Sequence, residues 1–159
     1  MGKRMSGAAR DFVIVQPEAR DQAGWRRVYN GYATFYKREM TDAGAARVWS
    51  WITDPKPHGP CEGRIARAAD GRVIGLAHFR DMASPLRGTI AGFLDDLFVD
   101  PEWRGKKLGR ALLDEVAAIG KTRGWPFYRW LTGDDNYRAR TLYDQAAKRT
   151  MWITYQYDL

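Results

Sequence analysis

Residues 94–113 read Leu94-Asp95-Asp96-Leu97-Phe98-Val99-Asp100-Pro101-Glu102-Trp103-Arg104-Gly105-Lys106-Lys107-Leu108-Gly109-Arg110-Ala111-Leu112-Leu113. An apolar strand carrying two acids stops at Pro101, since proline has no amide to give a ladder. A basic turn follows, and then an amphipathic helix begins. The first amides of a helix have no partners within it and sit at the positive end of its dipole. A diphosphate seated on Arg104, Gly105, Lys106, Lys107, Leu108, Gly109 and Arg110 would receive several backbone hydrogen bonds. Gly105 and Gly109 let the backbone come close, because neither has a Cβ. Two common phosphate motifs do not fit. Gly109 is followed by Arg110, which breaks the Walker pattern, and no GxGxxG is present.

Working outward, Phe12 to Val15 reads as a strand closed by Pro17, and a helix begins near that proline. Its stripe Trp25, Val28, Tyr29, Tyr32, Phe35 and Tyr36 has offsets 0, 3, 4, 7, 10 and 11. Buried tyrosine hydroxyls want partners, so Tyr29 and Tyr32 are candidates to line a pocket for a polar substrate. Thr41 or Asp42 caps a second helix with Ala45, Val48, Trp49 and Ile52 on one face. Residues 54–60 form a proline-rich loop containing His58. Strands over 63–69 and 72–82 are joined by Asp70-Gly71, a hairpin signal. The central strand is 92–99 and its helix 107–120. An aromatic strand spans 127–131. Asp134 or Asp135 caps a helix from Asn136 to about Lys148, and 151–157 alternates as a last strand. The predicted order is β-α-α-β-β-β-α-β-α-β. The hairpin-linked strands pair antiparallel, and the pair flanking helix 107–120 is parallel. This is an α/β mixed sheet of six to seven strands with helices on both faces. Residues 1–10 lack periodicity and are expected to be a disordered tail, leaving 11–159 as one domain.

Of the 159 residues, 26 are Lys or Arg and 19 are Asp or Glu, a net charge of +7. A polyanionic ligand accounts for part of this locally. The basic residues are dispersed, and no RNP, helix-turn-helix or finger pattern appears, which argues against a nucleic-acid partner. No run of eighteen apolar residues exists, so no membrane helix is expected. The basic start lacks an apolar segment, so no secretion signal is read. Cys61 is the single cysteine, which rules out an internal disulfide and suits a cytoplasmic setting. His58 and His78 stand apart without cysteine pairs, so no metal site is expected.

With Val99 ending the strand, Arg104 and Gly109 fall at the ends of an Arg/Gln-x-x-Gly-x-Gly/Ala turn. This resembles the acetyl-CoA loop of the GNAT superfamily of N-acetyltransferases, with Lys107 in place of the middle glycine. Asn136, Ala139 and Tyr143 share one helix face, and Asn-x-x-Ala-x-x-x-Tyr before a final strand is similar to a GNAT pattern. The resemblance spans about residues 12 to 157. It implies a GNAT-like fold and acetyl-CoA as the acetyl donor. Backbone groups of Leu97, Phe98 and Val99 would hold the acetyl carbonyl and pantetheine amides. Asn136, Ala139 and Arg140 would bind coenzyme A, and Tyr143 would protonate the departing thiolate. The paired acids look most like those of diamine and other small-amine acetyltransferases.

An amine attacks a thioester only when neutral, yet an alkylamine is mostly protonated at neutral pH. A carboxylate nearby can take its proton, directly or through one water. Asp95 and Asp96 are expected on opposite faces of their strand, because the side-chain period is two. The resemblance assigns the base to Asp95 and leaves Asp96 for a second charge on the substrate. The function expected is acetyl transfer to a small primary amine by direct attack. Acetylation of a protein lysine or N-terminus, or non-catalytic acyl-CoA binding, are the alternatives. Seven Trp and eight Tyr are more aromatic surface than one small core hides. The last strand, 151–157, is rich in them, with Trp152, Tyr155 and Tyr157, and lies at a sheet edge, which predicts a homodimer.

Overall fold

The computed structural model describes residues 11–54 and 59–159. The expected tail 1–10 and His58 lie outside the described residues. The elements are β1 (Phe12–Val15), α1 (Gln22–Phe35), α2 (Asp42–Thr53), β2 (Glu62–Ala68), β3 (Val73–Ser84), β4 (Thr89–Val99), α3 (Leu108–Arg123), β5 (Tyr128–Trp130) and α4 (Tyr137–Ala146). They form a mixed sheet in the order β1-β2-β3-β4-β5. The first four strands are antiparallel, and β5 lies parallel to β4 across the α3 connection. Gly71 supplies the positive φ of 88° that the β2–β3 turn requires.

Helices cover both faces. On one, Ile74, Phe79, Leu94, Leu108, Leu112 and Val116 make a wholly apolar core under α3. On the other, Trp25, Val28, Ile52, Ile65 and Leu76 pack under α1 and α2. Burial of such side chains supplies the main stabilisation, about 1.5–3 kcal/mol each. Trp125 closes the end of the α3 face in a niche that two glycines leave open. A Cβ on Gly92 or Gly120 would lie 2.2 Å or 2.5 Å from its ring.

The sheet of the described residues has five strands, not six or seven. Residues 151–157 form no strand, and Met151, Trp152, Ile153, Tyr155 and Tyr157 are strongly exposed. Alternation makes a strand only where the segment reaches a neighbouring edge for ladder partners, and residues 151–157 pair with no strand among the described residues, although the outer edge of β5 is open. Two helix starts differ from the sequence reading, and a third, at Thr41, is one of the two caps it allowed. A 3-10 turn, Ala19–Asp21, precedes α1, and buried Asp21 ion-pairs with Arg67 at 2.6 Å. Thr41 caps α2, its hydroxyl accepting from the Gly44 amide at 3.1 Å. Asn136, rather than Asp134 or Asp135, caps α4 through an Ala139 amide bond of 3.3 Å.

Candidate active site

Leu94 pairs with Phe79 and Asp96 with His78, so Asp95 is an extra residue on β4. This bulge changes the reading of the two acids. Leu94 and Leu97 both face the α3 core, three positions apart rather than two. Asp95 and Asp96 therefore share the opposite face, since an inserted residue resets the alternation. Asp95 meets Arg80 Nε at 3.1 Å and 3.2 Å. Asp96 meets His78 Nδ1 at 2.8 Å and the Tyr29 hydroxyl at 3.1 Å. The expectation that they point to opposite faces is overturned.

His78, which the sequence marks only by its lack of cysteine neighbours, organises this face. Trp25 Nε1 donates to His78 Nε2 at 2.9 Å. An indole nitrogen can only donate, so Nε2 accepts and Nδ1 carries the proton toward Asp96. Asp96 takes hydrogen bonds from His78 and Tyr29, and the Tyr32 phenol lies close enough to act on its charge. Burial works to raise its pKa, but His78 and the two tyrosines outweigh that and hold the carboxyl below its ordinary value. Asp95 goes the other way: burial raises it, and Arg80 only partly offsets the shift. Burial followed by the Asp96 charge pushes the Tyr29 and Tyr32 phenols well up. The Cys61 thiol is pushed up to about 12, by burial first and then by the charges of Asp95 and Asp96. The signal for His78 was its place opposite Asp96 once β3 and β4 are laid in register, which needed the bulge to be known.

Between the end of β4, α3 and α4 opens a cleft of about 510 Å³. Leu97, Phe98 and Val99 form its floor, and Arg104, Gly105, Lys107, Leu108, Gly109 and Arg110 one wall. Asn136, Ala139 and Tyr143 face them from α4, and Tyr32 closes the α1 side. Lys107 adopts φ 63°, the left-handed conformation that glycine takes most easily. Lysine holds this conformation at a cost of about 1–2 kcal/mol. Arg104 and Arg138 are close enough that, after burial, the second guanidinium is the main influence lowering the Arg104 pKa. Two like charges facing one cleft suit an anion between them. The Tyr143 hydroxyl has no hydrogen-bond partner among the described residues. Burial, then Tyr36 nearby, raises its pKa to about 12.

Some candidates fall elsewhere. Lys106 lies over the Trp103 ring, 4.4 Å from its centre, and not on the cleft. Arg140 binds the Asp134 carbonyl at 2.5 Å, while Arg138 faces the cleft in its place. The Asn136 cap sets the phase of α4, and each residue turns the direction by about 100°. Tyr29 is buried behind the cleft rather than lining it. Neither acid lines the cleft, and Asp96 reaches it through Tyr32. Among the described residues no group of His, Cys, Asp or Glu could hold a metal ion.

Residues 25–147 match the model of the acetyltransferase (GNAT) family. The chain belongs to that family. This GNAT protein is an acetyl-CoA-dependent acyltransferase. It is 27% identical over 148 residues to a D-amino-acid N-acetyltransferase of Saccharomyces cerevisiae, covering 92% of this chain and 91% of the relative. A ribosomal-protein-alanine N-acetyltransferase from Brucella melitensis superposes with a TM-score of 0.77 at 26% identity, covering 93% of this chain and 99% of the other. An aminoglycoside N-acetyltransferase in complex with CoA gives a TM-score of 0.78 at 18% identity, covering 92% and 94%. The GNAT chain thus has the fold of these enzymes from β1 through α4.

Proposed function

We propose that the protein transfers the acetyl group of acetyl-CoA to a primary amine of a small molecule by direct attack. The observation that carries this is the cleft itself. Tyr143, a phenol with no hydrogen-bond partner among the described residues, shares it with the turn before α3 and two mutually repelling arginines. The pyrophosphate would rest on Arg104 and the amides from Gly105 to Arg110, with the pantetheine arm along Leu97 to Val99. A structural neighbour described in complex with CoA, and relatives named for D-amino-acid and aminoglycoside acetylation, support the reading.

Asp95 is the better base. Its raised pKa makes it the stronger proton acceptor of the two. Asp96 already accepts from His78 and Tyr29 and is a positioning residue behind the cleft wall. Asp95 takes the ammonium proton through a water, the free amine forms the C–N bond, and the C–S bond breaks as Tyr143 donates its proton to the departing sulfur. The extra proton left on the new amide nitrogen passes through water to the Tyr143 phenolate, and Asp95 releases its proton to solvent. The test is thiol release from acetyl-CoA with a panel of amines, amino acids, aminoglycosides and peptides. Release with small amines is expected, whereas release with peptides alone would assign a protein acceptor.

We also place the enzyme in the cytoplasm as a homodimer. No described helix is long and apolar enough to cross a membrane. The exposed aromatic stretch 151–157 suits the open outer edge of β5 in a second copy. A monomer mass by sedimentation at micromolar concentration would overturn the dimer.

A further inference from the structure

We infer that the sheet face beside Asp95 selects amines that also carry an anionic group, a carboxylate or a phosphate. The inference rests on the acetyl transfer proposed above. The register places Arg80, Phe93 and Arg129 side by side on three neighbouring strands, β3, β4 and β5. Phe93 is flanked by Leu94, which faces the α3 core, so this row lies on the same face as Asp95 and His78. Neighbouring strands are about 4.8 Å apart, which sets the two arginines about 10 Å apart with the ring between them.

The guanidinium groups are held over rings, and their charge is largely uncommitted. Arg80 Cζ lies 4.8 Å from the centre of the Phe93 ring. Arg129 and Arg87 lie 4.7 Å and 5.0 Å from the centre of Phe127. Only the Nε of Arg80 meets a carboxylate, that of Asp95, which leaves its terminal nitrogens open. Arg87 and Arg129 have no carboxylate partner among the described residues. Stacking on a ring restrains a guanidinium without using its donors, and the planar fork then matches a carboxylate or phosphate. The helices do not cover this part of the sheet: Arg80, Phe93 and Arg129 are all half-exposed.

The opposite charge sits one step along the strand. Asp95 is two residues from Phe93, a rise of about 7 Å. An acceptor whose amine meets Asp95 would bring an acid group a few bonds away between Arg80 and Arg129. α-Amino acids and amino-sugar phosphates have that form. Polycations such as polyamines and aminoglycosides would place a second ammonium against three guanidinium groups, which like-charge repulsion disfavours.

Matched acceptors test this by thiol release from acetyl-CoA: an amino acid against its amide, and glucosamine 6-phosphate against glucosamine. The acid-bearing member of at least one pair should have the higher kcat/KM, by about tenfold or more, the scale for a charge-assisted hydrogen bond. The pair showing the preference identifies carboxylate or phosphate. Arg129→Gln should collapse that ratio and Arg129→Lys should restore part of it, while the KM for acetyl-CoA stays within twofold. A preference for the neutral or polycationic member, or a ratio unmoved by Arg129→Gln, would overturn the inference and leave acetyl transfer standing. Absence of thiol release with every amine would instead overturn the acetyl transfer on which it rests.

Discussion

The α1 side of the cleft and its α3–α4 side handle polar atoms in opposite ways. Under α1, Trp25, His78, Asp96 and Tyr29 satisfy one another in a buried chain. Across the cleft, the Tyr143 hydroxyl has no described partner, the first amides of α3 have none within the helix, and Arg104 faces Arg138. Both sides pack on one strand, β4. The difference separates architecture from binding. A satisfied network fixes shape at little net gain, because its bonds replace bonds to water. Open donors around a cleft are stabilised only when a ligand arrives.

The largest effect should come from breaking the closed side. Asp96→Ala removes the acceptor for His78 and Tyr29, leaving buried donors unpaired at a cost of about 3–5 kcal/mol. Urea unfolding at pH 7 measures it; a loss under 1 kcal/mol would mean the network is not structural. The loss should also depend on pH. The Asp96 pKa is depressed on folding, so its contribution is complete above the unfolded carboxylate range near pH 4. It fades as pH falls through the lower folded value. The gap between wild type and variant should narrow in acid and stay constant from pH 5 to 7.

Tyr143→Phe tests the open side. No described hydrogen bond is lost, so stability should hold, while kcat falls about a hundredfold, roughly 2.7 kcal/mol. CoA affinity should change little, because charge on the sulfur develops only as it leaves. Normal turnover would make Tyr143 a packing residue against Trp130, whose ring centre is 5.3 Å away.

Arg104→Ala should weaken CoA binding by about 1–3 kcal/mol in calorimetry. Unchanged affinity would remove the turn from the pyrophosphate site. The smallest expected effect belongs to Lys107→Gly. It relieves a left-handed lysine but loosens the unfolded chain, so the net gain should stay below about 1 kcal/mol. A clear loss of stability on thermal melting would show that the lysine side chain has another role.

Much of the architecture was legible locally. The stretch 94–113 announced strand, turn and helix, because proline, glycine and periodicity act within a few residues. Asp70-Gly71 announced the hairpin for the same reason. The Asn136-to-Tyr143 spacing put three residues on one helix face, and they line the cleft. The readings that failed depended on partners far along the chain. Asp95 and Asp96 were assigned to opposite faces because alternation holds only in a regular ladder, and the bulge is defined by the pairing with β3. Residues 151–157 have the pattern of a strand but pair with none of the described strands, because a local pattern does not by itself bring a segment to an open edge.

What the sequence by itself determined is therefore the order of elements from β1 through α4, the parallel β4–β5 pair and the glycine-bearing turn before α3. Each follows from side-chain period and backbone freedom, which are properties of neighbouring residues. Only the tertiary structure decided that His78 is a member of the site, that both acids share one face, and that Arg80, Phe93 and Arg129 stand in a row. Those facts rest on register, and register is set by how separate strands pair and by the faces they bury.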